Sequence, residues 1–532
     1  MFFSLRSNCF FCAFLLASVV ADADSFSYDV LRAQARELAQ KPHAELSLEL
    51  DDFWKNLSYD EHRDIRFQMD RGLWAGESRT FSIDFFHPGW TAKKMVDIYQ
   101  VDDEKSQFLT FDRTMFDYGK QVVPADVPPP PDYAGWRART HLNSKDYMDE
   151  FLVFLGASYF RAIPANAPYG LSARGLSINS GLPGVPEEFP DFQKFYLEKP
   201  SKGAKSLRAW ALLGGDSVSG AYQFTITPGV ETVMDVEAEI TLRKPVQQLG
   251  LAPFSSMFWF GENTHPRPYD FRPEVHDSDG LLMQLESGNM HFRPLEHTAG
   301  QYRHCVFLLE KPRSWSLVQR DRSFLSYEDP EARYHERPSV TVEPQQGFDL
   351  GKLHLIELPT KDETEDNIVL CWEPMPALQV GTPYHFRYRL RWQNETDASG
   401  HFAVKATRLG HPVQLPNQVL IAVDFAKPLK PESKKSEMKW EDFEKLKPVV
   451  TINQTRAKLL HVGLKDVSMP NVDAIPAGLG RDDSLHMPQV LRAFFVIEPE
   501  TDVLEMDLTC ELQDASGKCV SERWLYLWRR TH

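Results

Sequence analysis

Apolar and polar residues alternate with a period of two along several stretches of this 532-residue chain. Met234, Val236, Ala238, Ile240 and Leu242 interleave with Asp235, Glu237, Glu239 and Thr241. Phe386, Tyr388, Leu390 and Trp392 interleave with Arg387, Arg389 and Arg391. Each pattern predicts a strand with one dry face and one wet face. Many such runs, broken by Gly and Pro turns, predict a mainly β chain built as a large β-sandwich. Helical spacing is confined to the early part. Ser27 caps a predicted helix over Tyr28–Gln40, with Val30, Leu31, Ala35 and Leu38 recurring on one face. Ser58-Tyr-Asp-Glu61 reads as a capping box. A third helix is predicted over Asn143–Leu155, carrying Tyr147, Phe151 and Phe154.

The pattern breaks after Trp392. Gln393-Asn-Glu-Thr-Asp-Ala-Ser-Gly-His401 is polar, so 24–392 reads as one domain, 393–402 as a linker and 403–532 as a second. The second has the length of an immunoglobulin-like β domain. Its Val419–Phe425 strand precedes Lys427–Pro448, a Lys- and Glu-rich stretch read as a solvated excursion, while Pro128–Pro131 is a stiff connector in the first domain. Residues 1–23 read as a secretory signal: Arg6, an apolar run from Cys9 to Ala21, then the small-x-small step Ala21-Asp22-Ala23. The apolar core is shorter than the roughly 20 residues of a membrane span, so an exported chain without stable membrane insertion is expected. No twin-arginine pair precedes it, which points to general secretion.

Composition narrows the partners. The formal charge is −16, with 59 basic against 75 acidic side chains, so nucleic acid is not an expected partner. A neutral polymer suits that balance. Four cysteines follow the signal. Cys510 and Cys519 flank the turn Asp514-Ala-Ser-Gly517 and are a candidate disulfide across a hairpin, whereas Cys305 and Cys371 read as buried thiols. No Cys-x-x-Cys or His-x-x-x-His occurs, so no metal is expected.

Candidate chemistry lies in two acidic segments, Arg272-Pro-Glu-Val-His-Asp-Ser-Asp-Gly280 and Pro359-Thr-Lys-Asp-Glu-Thr-Glu-Asp-Asn367. Phe258, Trp259, Phe260 and Tyr269 precede the first, and Trp372 follows the second. Rings cover the apolar faces of sugars, and a carboxyl pair can protonate a leaving oxygen and activate water. Acidic loops are equally ordinary solvated surface. The first segment offers Glu274, Asp277 and Asp279, the second Asp362, Glu363, Glu365 and Asp366, and spacing does not choose among them. Trp259 and Trp372 are candidate sugar platforms. Gly170-Leu-Ser172-Ala-Arg and Gly215-Asp-Ser217-Val-Ser lack the closing Gly of a nucleophile elbow. No Gly-rich phosphate loop precedes a helix, so no nucleotide cofactor is expected.

Five blocks in order carry a resemblance. They are Gly156-Ala-Ser-Tyr-Phe-Arg161, Tyr169-Gly-Leu-Ser-Ala-Arg-Gly175, the two acidic segments (the second continuing to Ile368 and Val369) and Arg333-Tyr-His-Glu-Arg-Pro338. Together they resemble the periplasmic glucan biosynthesis proteins G and D, strongly before the seam and weakly after it. The resemblance implies a large N-terminal β-sandwich of galactose-mutarotase type with a long cleft, then the smaller immunoglobulin-like domain. It implies a periplasmic role in making osmoregulated glucans with a β-1,2-linked backbone, by inverting endo-hydrolysis or transglycosylation, without a cofactor. Matched motif by motif, it places the general acid on Asp366 and the general base on Asp277, with Tyr334 and Arg337 near the reacting sugars. Tyr159, Arg161, Tyr169 and Arg174 are expected to contact substrate. The expected partners are β-1,2-glucan and a glucan synthase of the inner membrane. The single Arg6 favours the protein G branch. A glucan-binding assembly factor without chemistry is the alternative.

Overall fold

The structure is a computed structural model that describes residues 24–44, 49–77, 79–264, 269–297, 300–394, 401–427, 445–467 and 490–530. The expected signal over 1–23, most of the linker and most of the Lys/Glu-rich excursion lie outside the described residues. The fold is mainly β. A fifteen-stranded sheet faces a ten-stranded sheet, and a four-stranded sheet completes the C-terminal part.

The alternating patterns explain the large sheet. Strand Thr232–Leu242 pairs antiparallel with Tyr384–Gln393, setting Met234 opposite Leu390 and Val236 opposite Tyr388. These side chains are buried in the main core, with Phe224, Trp315 and Phe386. The other face is wet and charge-paired: the Arg389 Nε donates to Asp235 Oδ1 at 2.8 Å, and His385 meets Glu237 at 2.8 Å. Opposite charges directly across the two strands, Asp235 against Arg389 and Glu237 against Arg387, reinforce the register.

The two early helices form where their caps predict. Ser27 Oγ accepts from Val30 N ahead of helix Tyr28–Ala39, and Leu31 and Ala35 are buried against Tyr196, Trp210 and Ala221. Ser58 and Glu61 complete a reciprocal box at helix Tyr59–Asp64. The third predicted helix is wrong. Residues Asp149–Leu155 form a strand between Gly135–Thr140 and Tyr159–Ala162. Asn143 and Ser144 serve turns instead of a cap: Asn143 N donates to Asp149 Oδ2 at 2.9 Å, and Asp146 N donates to Ser144 Oγ at 3.1 Å. Phe151 and Phe154, at helical spacing in the sequence, enter the core from a strand with a register shift. Local polar turns and core packing outweigh the spacing.

The large sheet does not stop at the seam. Strand Met290–Pro294 pairs in parallel with Arg523–Arg529, pairing Phe292 with Trp524. A second core gathers Leu282, Met290, Phe292 and Val318 from the first part with Phe402 from the end of the expected linker and Phe495 and Trp524 from the second part. The expected disulfide does not form. Cys510 pairs with Trp524 and with Val450, while Cys519 sits opposite Gln513, three residues out of step. Both thiols are free, and Cys519 Sγ donates to the Ser521 carbonyl at 3.2 Å.

Candidate active site

The first acidic segment is a short kink between two strands. Val275–His276 pairs with Phe258–Phe260, and the His276 ring stacks on Phe258 with centroids 5.1 Å apart. Asp277 N donates to the Met257 carbonyl at 2.8 Å, and Asp279 N to the Val318 carbonyl at 2.7 Å. The fold separates the three carboxylates. Glu274 Oε2 lies 2.9 Å from His276 Nε2, and Asp279 accepts the backbone hydrogens of Arg320 and Asp321. Asp277, also buried, instead meets Arg337, whose Nη1 it binds directly.

The second segment is sorted in the same way. Asp362 closes its own turn with Thr364 N at 2.9 Å, and Glu365 is exposed. Glu363 binds Arg272, at 3.0 Å from Nη1 and 2.5 Å from Nη2. Asn367 is fully buried and clasps Phe258 from both directions: Phe258 N donates to Oδ1 and Nδ2 donates to the Phe258 carbonyl, each at 2.8 Å. Asp366 is therefore held one residue from a fixed point, at the start of strand Ile368–Pro374. Asp366 is exposed at its surface, although protein atoms lie densely around its carboxyl group. That burial, and then the charge of Asp277, raises its pKa, while Arg161, Arg174 and Arg337 pull it down. Asp366 and Asp277 thus share one electrostatic site ringed by three arginines.

The remaining expected residues divide into those at this site and those elsewhere. Tyr334 is buried against Met257, Phe260, Val275 and Tyr327, with the Arg337 guanidinium 4.4 Å from its ring centre. Burial, and then the charge of Glu363, raises the pKa of its hydroxyl. Arg161 Nε donates to Ser172 Oγ at 2.7 Å. Arg174 is held by Glu187 at 2.9 Å and by the Tyr159 hydroxyl, between the rings of Tyr159 (4.5 Å) and Phe189 (5.0 Å). Trp259 is half-buried against His297, centroids 4.7 Å apart, and His297 Nε2 meets the Thr360 carbonyl at 3.3 Å. Trp372 is not a platform. It is fully buried and stacked on Trp315 at 5.4 Å, because its strand turns even-numbered residues into the core. The Tyr169 hydroxyl is buried near Glu150, Arg137 and Arg139, while the next residue, Gly170, packs against Arg337.

Comparison with known proteins decides the family. Residues 26–528 match the family described as periplasmic glucan biosynthesis protein, MdoG. The chain belongs to that family. It is 36% identical over 511 residues to glucans biosynthesis protein D of Xanthomonas oryzae pv. oryzae (strain PXO99A), covering 94% of this chain and 90% of the relative. It is 38% identical over 512 residues to glucans biosynthesis protein G of Rhodopseudomonas palustris, covering 95% and 94%. Protein G of Cereibacter sphaeroides is 43% identical over 376 residues, covering 70% and 69%. G and D relatives stand at similar identity, so these matches do not separate the branches.

Three features of the site escaped sequence reasoning. Arg272 joins Asp270, Asp329 and Glu363, contributed by three separate segments. Phe189 is an exposed ring beside Arg174. Behind Asp277 lies a buried cluster of Glu262, Glu274, His276 and Asp279. Gln319 Nε2 donates to the His276 and Tyr334 carbonyls at 2.9 and 3.0 Å, so its Oε1 must accept a hydrogen from His276 Nδ1 at 3.0 Å. Burial alone would lower the His276 pKa, but the charges of Asp279, Glu274 and Glu262 carry it up to about 9. Glu262 is pushed up to about 8 by burial, then by Glu274 and Asp279. Glu274, His276 and Asp279 have the side-chain types of a metal set, with ligand atoms within 4.8 Å of one another. A second proton on the His276 ring satisfies the same atoms without an ion. Sequence spacing gave no signal for this cluster, since Glu262 and Gln319 arrive from distant segments.

Proposed function

We propose that this protein acts in the periplasm on a β-1,2-linked glucan, cleaving or relinking it by an inverting mechanism. Asp366 is the general acid and Asp277 the general base. The observation that carries the reading is the convergence of Asp366 and Asp277 on one electrostatic site with Arg161, Arg174 and Arg337. An inverting glycosidase needs one carboxyl kept protonated and one kept ionised. Arg337 binds Asp277 directly and fixes its orientation, and crowding around Asp366 favours the protonated acid. Tyr334 and Arg337 line the reacting centre, and Arg161, Arg174, Tyr159 and Trp259 offer hydrogen bonds and ring faces to neighbouring sugars. The family name and the 36–43% identical relatives support glucan biosynthesis as the process served.

The test is incubation of the mature protein with linear β-1,2-glucan, following chain length and the anomeric form of new ends. Shortening or relinking is expected, and Asp366→Asn abolishes it while retaining glucan binding. Full turnover by that variant would remove Asp366 from the mechanism. One observation favours a second reading, a glucan-binding assembly factor without chemistry. Arg337 occupies an oxygen of Asp277 that a base would offer to water. Persistent glucan binding with no change in chain length would select it.

A further inference from the structure

A cavity of about 220 Å³, with room for a sugar ring, opens between the hairpin tip 155–157, strand Asp191–Glu198 and residues 93–96. Of the residues assigned so far to glucan binding or catalysis, Tyr159 alone lines it. Its walls are set by the backbone. Gly156 and Ala157 have φ of 78° and 43°, which closes a tight turn between strands Asp149–Leu155 and Tyr159–Ala162. The Ala157 carbonyl accepts from Phe192 N at 3.1 Å, and the Ser158 carbonyl accepts from Gly175 N at 2.8 Å. Gln193 is the extra residue of a β-bulge, since Phe192 pairs with Leu213 and Lys194 with Leu212. A bulge takes its side chain out of the strand's alternation, here onto the cavity wall.

The lining combines two characters. Phe154, Phe192 and Phe195 supply apolar surface, while Lys94, Asp191 and Gln193 supply polar groups. Lys94 Nζ donates to Asp191 Oδ2 at 2.5 Å and Lys93 is exposed, so little unbalanced charge faces the interior. Apolar surface with a few polar groups and no strong field suits a neutral sugar. Tyr159 joins this cavity to the carboxyl pair. Its hydroxyl binds Arg174, whose guanidinium lies 4.5 Å from the Tyr159 ring centre, and the charge of Arg174 reaches Asp366. The Phe189 ring lies 5.0 Å from the same guanidinium and is 47% exposed. Its two preceding residues are tied down: Glu188 accepts from Ser217 N and Glu187 from Arg174, each at 2.9 Å. Two residues beyond Phe189 the chain reaches Asp191 on the cavity wall. An exposed ring on so fixed a support is a ready platform for a sugar face.

We propose that this cavity is a distal sugar subsite. A glucan held at Asp366 and Asp277 continues over Phe189 and Arg174 and seats a further glucosyl unit against Tyr159 and Gln193. The inference rests on the reading of a β-1,2-linked glucan as the substrate. It adds a contact remote from the reacting bond, where binding energy can be used to position the chain at the carboxyl pair.

Calorimetric binding of β-1,2-linked glucose oligomers, graded in length from the disaccharide upward, tests the subsite. The full mature chain carrying Asp366→Asn is used, so that no oligomer is consumed. Affinity is expected to rise with length and to level off once a chain fills the cavity. Adding Phe189→Ala is expected to weaken the long oligomers about tenfold and the disaccharide much less. Phe189 is exposed, so its removal leaves the core intact. A crystal structure of the Asp366→Asn chain with a long oligomer supplies an independent readout, a glucosyl unit between Tyr159 and Gln193. A long oligomer bound with the cavity left to solvent overturns the distal subsite while the glucan reading stands. So does a length series that Phe189→Ala leaves unchanged. Failure of every oligomer to bind the unsubstituted mature chain overturns both.

Discussion

Arg272 grips Glu363 through both terminal nitrogens, at 3.0 and 2.5 Å. This contact ties the loop that leads into Asp366 to the segment that leads into Asp277. The same guanidinium holds Asp270 and Asp329, so three chain segments converge on one side chain. All of the partners are partly exposed, which limits the energy of each contact. Arg272→Met is expected to cost about 1–2 kcal/mol of stability, less than a fully buried pair. The sharper effect is local. Amide exchange over Lys361–Glu365 is expected to quicken while strand Ile368–Pro374 stays protected. Unchanged exchange in that loop would show that Arg272 does not order it.

With Asp366 as the general acid, as proposed, the arginines around it would set the upper pH limit of turnover. Arg161, Arg174 and Arg337 each lower its pKa against the upward push of burial and Asp277. Removing one cation leaves the acid protonated to a higher pH. Arg161→Ala is therefore expected to move the alkaline limb of kcat/KM upward by several tenths of a pH unit. Arg161 is exposed and loses only its bond to Ser172, so folding is little affected. A limb that stays in place or moves down contradicts this electrostatic account.

Much of the fold was legible because alternation and caps are local signals. Met234–Leu242 and Phe386–Trp392 declared both faces of their strands, and Ser27 and Ser58 declared two helix starts. Asn143–Leu155 misled because Phe151 and Phe154 carry helical spacing inside a strand with a register shift, and only its neighbours reveal that. At the site, residue types marked both acidic segments, but the choice of Asp277 and Asp366 from seven carboxylates came from resemblance. In the structure Glu274, Asp279, Glu363 and Asp362 are each bound to another partner, but Asp277 is bound too, by Arg337, and Glu365 and Asp366 are both exposed, so these contacts do not make the choice. Trp372 looked like Trp259 in the sequence because burial of an aromatic ring depends on strand parity and on the facing sheet. The Cys510–Cys519 pairing failed on the same ground, a register offset invisible in spacing.

The buried cluster behind Asp277 makes stability depend on pH. Glu262 and His276 both have pKa values raised in the folded protein, from ordinary values of 4.5 and 6.5 to about 8 and about 9. A raised group binds its proton more tightly when folded. Its contribution is full below the unfolded pKa and lost as pH rises through the folded one. For Glu262 that loss runs from 4.5 to about 8, and for His276 from 6.5 to about 9. Calorimetry should therefore show the melting temperature falling between pH 6.5 and 9. Each group contributes up to about 1.4 kcal/mol per pH unit within its window. Glu262→Gln keeps an oxygen for the Thr407 N–H, now 3.1 Å from Oε1, and removes one proton from the balance. Its melting curve should slope less steeply over that range. A wild-type melting temperature flat from pH 6.5 to 9 would sink the assignment.

The C-terminal part bears on the same cluster through a buried ion pair. Glu522, fully buried, binds both terminal nitrogens of Arg320 at 2.6 Å, and its Oε2 also accepts from Val404 N at 2.8 Å. The Arg320 backbone in turn donates to Asp279, two residues from Asp277. Breaking one side of a buried pair leaves an uncompensated charge, whereas replacing both sides with apolar groups removes the desolvation cost as well. Glu522→Gln is expected to lower stability by about 3–5 kcal/mol. Arg320→Met combined with Glu522→Met should cost clearly less than that single change. Urea unfolding of the two variants gives the comparison directly. If the double apolar variant is the less stable of the two, the pair holds the junction through direct attraction and not through relief of a stranded charge.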